Sequence, residues 1–190
     1  MAILFPMKVI LSFVTSLDGY VTDTKGRPPY FWASPEDQKH FEALKRTCRV
    51  VIMGRHTYEA QKDRLTLSPK ILRIVMTKNP KAFAKHAVPG QLEFTAAKPR
   101  KVLDALGERG YKQVLLAAGP TLARLFLAER LVSGLYLMIE PILFGGGIPL
   151  GLGPLDKADL KLISARKINT KGTLALRYRI NTLRPSRHRR

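Results

Sequence analysis

A chain of 190 residues, 45% of them hydrophobic, is long enough for one domain with a sizeable core, and no shift in composition divides its middle. Thirty-three Lys and Arg against 14 Asp and Glu leave a formal charge of +19, which points to an anionic partner: nucleic acid, an acidic membrane surface or a phosphorylated small molecule. Cys48 is the only cysteine, which excludes an intrachain disulfide framework and makes a reducing cytoplasm the expected compartment.

The opening stretch, MAILFPMKVILSFV, is apolar but has neither a basic leader nor a small-residue cleavage site, and it reads as a short lead-in and a first strand over 7–14. SPEDQKHFEALKRT (34–47) is a helix: Ser34 is the N-cap, Pro35 takes the first position, Glu36 and Asp37 lie in the first turn, and Lys45 and Arg46 close the last. Phe41, Leu44 and Cys48 share one face of it. Further strands are predicted over 49–53, 71–76, 92–95 and 113–117, with helical segments over 55–60, around 80–86, over 98–108 and over 120–128. From there strands follow one another without helices, at 134–140, 160–168 and 173–181. The apolar stretch 135–155 carries Glu140, three prolines and five glycines, which makes it a poor membrane helix and a good strand followed by a Gly-rich loop. The end, RPSRHRR, has no apolar face to bury, so a domain over 1–181 and a disordered basic tail over 182–190 are expected. Alternating strands and helices followed by strands alone predict an α/β domain with a largely parallel sheet and an antiparallel edge.

Four segments lie at carboxyl ends of predicted strands, where open α/β sheets bind ligands. In TSLDGY (15–20), Asp18 either caps the turn with Gly19 or accepts a hydrogen bond from a ligand. In WASPED (32–37), the carboxylate of Asp37 either complements the helix dipole or binds or protonates a polar heterocycle against the wall of Trp32. VIMGRHTYE (51–59) ends an apolar strand at Gly54, where a bound group can approach the backbone, and offers Arg55 and Thr57 to a phosphate; a plain turn with a solvated Arg is the alternative. LLAAGPTLARLFL (115–127) opens through Gly119 and Pro120 into a helix whose free amides suit a pyrophosphate. Neither is a Rossmann or Walker loop, yet two such loops on neighbouring strands suggest a nucleotide spread across the sheet edge. His40, His56, His86 and His188 show no ligand spacing, so no metal is expected. A nucleic-acid-binding role rests on charge alone, without a motif or interleaved aromatics.

VIMGRHTYE is similar, nearly residue for residue, to the cofactor segment of dihydrofolate reductases. With SLDGY, WASPED, GPTL and LVSGLYLMIEPILFGGGIPL in this order, the chain resembles their relatives, the reductase domains of riboflavin biosynthesis (RibD C-terminal-like), over about residues 7 to 180. The resemblance implies a dihydrofolate reductase-like three-layer α/β/α fold with a central mixed, mostly parallel sheet, NADPH as hydride donor, a homodimer, and no specific nucleic acid or membrane partner. It implies that Gly54, Arg55, His56 and Thr57 hold NADPH phosphates, that Thr77 and Lys78 lie near the 2′-phosphate, and that Gly119, Pro120, Thr121 and Leu122 pass under the pyrophosphate. It also implies Asp37 as the catalytic and substrate-binding carboxylate, four residues before Phe41, with Asp18, Trp32, Ser34 and the loop Gly145, Gly146 and Gly147 on the nicotinamide and substrate side. The implied reaction is hydride transfer to the C=N carbon of 5-amino-6-(5-phosphoribosylamino)uracil. Tyr20 stands where those reductases commonly have Lys, and Ala117 and Ala118 where they have Glu and Gly; a pterin or another small C=N or C=O compound is the alternative substrate.

Overall fold

Apolar side chains run without a polar break through Val50–Met53 and Val114–Leu116, as strands covered on both faces require. The computed structural model describes residues 7–153 and 158–180; the tail expected over 182–190 lies outside the described residues. Eight strands form one sheet: β1 (Lys8–Ser16), β2 (Val50–Gly54), β3 (Leu72–Met76), β4 (Leu92–Thr95), β5 (Gln113–Leu116), β6 (Gly134–Glu140), β7 (Leu160–Lys167) and β8 (Leu174–Ile180). Their order is β4-β3-β2-β5-β1-β6-β8-β7. The first six are parallel, and β8 and β7 add an antiparallel edge.

Alternation along the strands sorts side chains into two layers. Val9, Leu11, Val50, Ile52, Val114 and Leu116 pack with Val102 and Leu106 of helix α3 (Pro99–Glu108) and Ala123 and Phe126 of α4 (Pro120–Ala128). The intervening Ile10, Val51, Met53 and Leu115 pack on the other face with Leu44 and Cys48 of α1 (Pro35–Cys48) and Tyr58 of α2 (Arg55–Gln61). The result is a three-layer α/β/α sandwich. Burial pushes the Cys48 thiol up to about 11, so this cysteine is a packing residue.

The α1 cap forms as its sequence predicts, with the Ser34 hydroxyl accepting from the Asp37 amide at 3.3 Å and Pro35 in the first turn. The segment at 80–86 is a 3₁₀ helix, not an α-helix. Pro80 opens it, and none of its residues is fully buried, so no apolar stripe pulls it into a longer α-helical run.

The layer assignment is testable at α4. Phe126→Ala should cost about 3–5 kcal/mol of unfolding free energy because the ring is wholly buried. Leu125→Ala, whose side chain is exposed, should cost about 0.5 kcal/mol or less. Equilibrium urea unfolding of both variants makes the comparison.

Candidate active site

Because β1 to β6 run parallel, the segments after β3, β2, β5, β1 and β6 emerge along one edge of the sheet, in that spatial order. Gly54 pairs with Met76, so Thr77 and Lys78 leave β3 next to the start of α2. On the other side, Ile52 pairs with Leu116, and the Ala117 amide donates to the Ile52 carbonyl. The Leu122 side chain lies 3.7 Å from where a Cβ on Gly54 would stand, so the turn into α4 abuts the turn into α2. Gly54, Arg55, His56, Thr57, Thr77, Lys78, Gly119, Pro120, Thr121 and Leu122 therefore form one contiguous band over three strands.

Within that band, Arg55 donates to Glu59 at 2.7 and 3.0 Å and to Nε2 of His56 at 2.6 Å. The Arg55 and Glu59 side chains are about two-fifths exposed, and such a pair exchanges for a better anion at little cost. Lys78 is exposed, and the Thr77 hydroxyl accepts from the Asn79 amide, fixing the turn that presents it. A Cβ on Gly119 would meet nothing within 4 Å, which leaves its backbone open to a ligand. The neighbouring Ala118 methyl is buried in the core, away from that opening.

Beyond β1 the chain turns at Gly19 (φ +86), and Asp18 reaches across to the Gly-rich loop. Its carboxylate accepts from the Phe144 amide at 3.1 Å, the Gly145 amide at 2.7 Å and the Ser16 hydroxyl at 2.6 Å. The Ser16 bond, followed by that from Gly145, holds Asp18 below the usual carboxylate range. Gly147 has φ +122, and a Cβ there would fall on the Thr22 carbonyl oxygen; the loop requires glycine at this point. Gly145 and Gly146 are thus presented on a loop pinned by Asp18 and by the Ile148 amide donating to the Thr22 hydroxyl at 2.8 Å.

Trp32 packs edge-on against Phe144, centroids 5.1 Å apart, and its indole donates to the Arg27 carbonyl. Five residues on, Asp37 is 9% exposed, and among the described residues no hydrogen-bond donor meets its carboxylate. Burial first, and the charge of Glu140 second, push it up to about 7. Glu140, at the end of β6, is itself buried and accepts from the Ser34 amide at 2.8 Å and the Thr173 hydroxyl at 2.6 Å. Sequence reasoning used Glu140 only to exclude a membrane helix; the signal was a carboxylate ending an apolar strand just before the Gly-rich loop. Thr173 and Asn169, in the turn between β7 and β8, carried no signal.

The arrangement brings small residues and cations together over β3, β2 and β5, with an aromatic pair and the protonatable carboxyl of α1 farther along the same sheet edge. Among the described residues no helix is long and apolar enough to cross a membrane, and no three His, Cys, Asp or Glu gather as a metal site would require.

The sequence model of the RibD C-terminal domain matches residues 7–174. Among solved structures, a Shewanella sp. PV-4 protein assigned to riboflavin biosynthesis is 22% identical, with 92% of this chain and 99% of that one covered and a TM-score of 0.75. The diaminohydroxyphosphoribosylaminopyrimidine deaminase/5-amino-6-(5-phosphoribosylamino)uracil reductase of Thermotoga maritima is 17% identical over 92% of this chain, which spans 57% of that protein (TM-score 0.73). Dihydrofolate reductase from Enterococcus faecalis, solved with NADP(H), is 18% identical with 93% and 98% covered (TM-score 0.64). The fold is thus the dihydrofolate reductase-like α/β/α sandwich. No curated protein sequence matches the chain.

The state of Asp37 has a stability signature. Its folded-state pKa, about 7, lies above the ordinary value of 3.8, so the proton it binds stabilises the fold fully below about pH 4 and ceases to do so as pH rises through 7. Asp37→Asn keeps the shape without the charge. It should exceed the wild type by about 2–4 kcal/mol at pH 8 and match it near pH 4, read by urea unfolding across that range.

Proposed function

The chain belongs to the RibD C-terminal domain family, and from that premise we propose that it is an NADPH-dependent reductase. Its substrate is a small heterocycle resembling 5-amino-6-(5-phosphoribosylamino)uracil, reduced at a C=N carbon. The observation that carries the reading is the buried, donor-free carboxyl of Asp37 on the same edge of the sheet as Gly119, Gly54 and the cations Arg55 and Lys78. The open backbone at Gly119, with the Ala118 methyl turned into the core, suits a pyrophosphate, and two cations suit the additional phosphate of NADPH over NADH.

When bound, NADPH supplies the hydride. Gly54, Arg55, His56 and Thr57 would hold its phosphates, Thr77 and Lys78 the 2′-phosphate, and Gly119 to Leu122 the pyrophosphate. Asp37 would hold the heterocycle and give the proton that accompanies hydride addition, a role suited to a carboxyl half-protonated near neutrality. Trp32 and Phe144 would form an apolar wall that keeps water from the reacting carbon. Asp18 would act by holding Gly145 and Gly146 beside the substrate, since its carboxylate is already engaged by the loop amides. The reading includes a homodimer, for which exposed Leu160, Leu162 and Ile163 on edge strand β7 provide apolar surface, and a reducing, cytoplasmic setting that suits a lone buried thiol.

A second reading keeps the fold and the cofactor and replaces the substrate with a pterin or another C=N or C=O compound. Tyr20 favours it: no cation stands at that position, and the residue pairs with Pro149 in an isolated bridge.

Titration with NADPH and NADH tests the reading. NADPH should bind at about micromolar concentration and more tightly than NADH, and Arg55→Ala should weaken NADPH about tenfold or more, the worth of a charge-assisted phosphate contact. Absence of both signals, together with duplex-DNA binding that falls steeply with salt, would instead favour a nucleic-acid role for the +19 charge.

A further inference from the structure

We propose that Glu140 is a positioning residue which, through Ser34 and Thr173, fastens the first turn of α1 to the β7–β8 turn and so fixes the Asp37 carboxyl in the cleft. The inference rests on the reading of Asp37 as the group that meets the substrate.

Glu140 is 3% exposed, and among the described residues no ion pair reaches it. A carboxylate so placed is expensive unless its oxygens are hydrogen-bonded, and each accepts one bond: Oε1 from the Ser34 amide and Oε2 from the Thr173 hydroxyl. The network then closes on itself. Nδ2 of Asn169 donates to the Thr173 hydroxyl at 2.8 Å and to Glu36 at 3.3 Å, while Oδ1 of Asn169 accepts from the amides of Gly172 and Thr173 at 3.0 Å. Ser34 and Glu36 precede Asp37 in the cap and first turn of α1, and both are tied to this one network. The turn that carries Asp37 is therefore fastened at two points, at Ser34 by β6 and at Glu36 by the β7–β8 turn.

The negative charge has its own effect. A neutral amide of the same shape keeps one accepting oxygen and removes the charge, whereas a carboxylate facing Asp37 favours its protonated form. The other charged and titratable groups around it are Glu36, Lys39 and His40 on α1, Lys171 in the β7–β8 turn, and Arg177 on β8. Arg177 lies over Tyr136, whose ring packs at a tilt against His40. Lys39 and Lys171 act on Glu36, and Arg177 on His40, leaving Glu140 as the charge that acts on Asp37.

Two measurements on the full chain test the proposal. The first is a carbon-13 NMR titration of the Asp37 carboxyl, assigned with Asp37→Asn, in wild type and Glu140→Gln. The midpoint should move to lower pH in Glu140→Gln, and an unchanged midpoint in a folded variant overturns the proposal. This readout needs neither cofactor nor substrate, so it stands apart from the fate of the reductase reading. The second is steady-state turnover of Thr173→Val and Thr173→Ser. Val is isosteric and strands one oxygen of Glu140, so kcat should fall about tenfold or more while KM for NADPH stays as in wild type, and Ser should restore it. A Thr173→Val enzyme with wild-type kcat, or one that Ser does not rescue, overturns it. If Glu140→Gln does not fold, the same titration in Thr173→Val decides: a displaced Asp37 midpoint supports the coupling, and a wild-type midpoint overturns it.

Discussion

The register between β1 and β6 is the constraint on which the site depends. Ile10 stands opposite Gly134, and the pairing holds without a slip to Ser16 opposite Glu140. A shift of one residue would turn the buried Phe13 and Met138 to the wrong faces, so core packing on both sides of the sheet locks the ladder. The same ladder sets where polar groups emerge. Two residues past Ser16, Asp18 meets the amides of Phe144 and Gly145, which lie four and five residues past Glu140. Apolar packing thus decides, at the strand ends, which carboxylate meets which backbone donor.

Three carboxylates show how local surroundings divide labour among chemically similar groups. Asp18 is exposed and accepts three hydrogen bonds, which favour its ionised form and make it a fastening for the loop. Glu140 is buried, with one donor on each oxygen, so its charge is tolerated where a bare one would not be. Asp37 is buried with no donor and with Glu140 facing it, so it holds a proton near neutrality. Such a separation of carboxyl states comes from surroundings alone, since the three groups share one chemistry.

Local signals carried most of the architecture. Val- and Ile-rich runs bounded by Gly, Pro or Asp gave strands within about two residues of their observed ends, and Ser34 with Pro35 gave the start of α1. The exception at 80–86 is short and half-exposed, where propensity decides little between 3₁₀ and α geometry. The Gly54 and Gly119 turns were legible because each glycine stands where an apolar strand hands over to a helix. The resemblance to dihydrofolate reductases singled out Asp37, but its surroundings were not legible. Ser34 and Glu140 are 106 positions apart, Asn169 and Glu36 are 133 apart, and no periodicity encodes a meeting over such distances. Arg73 was equally silent: a cation inside an apolar strand, it is buried and donates to the carbonyls of Thr66 and Ile71, pinning the loop before β3.

The basic surface and the site act at different ranges. Arg46, Arg49 and Lys70 line a groove of about 690 Å³ beside the carboxyl end of α1, where Glu42 is the facing acid and is paired with Lys45. Asp37 lies in the first turn of the same helix, nine residues before Arg46 and twelve before Arg49, which at 1.5 Å per residue puts those cations about 14–18 Å away along the axis. That is about two Debye lengths at physiological salt, so these cations contribute to the general field that draws in anions, and burial and Glu140 are what shift the protonation of Asp37. Arg55, Lys78 and the open backbone at Gly119 lie apart from that groove, at the strand ends. A net charge of +19 therefore acts on anions in general, whereas discrimination among them requires groups within contact range.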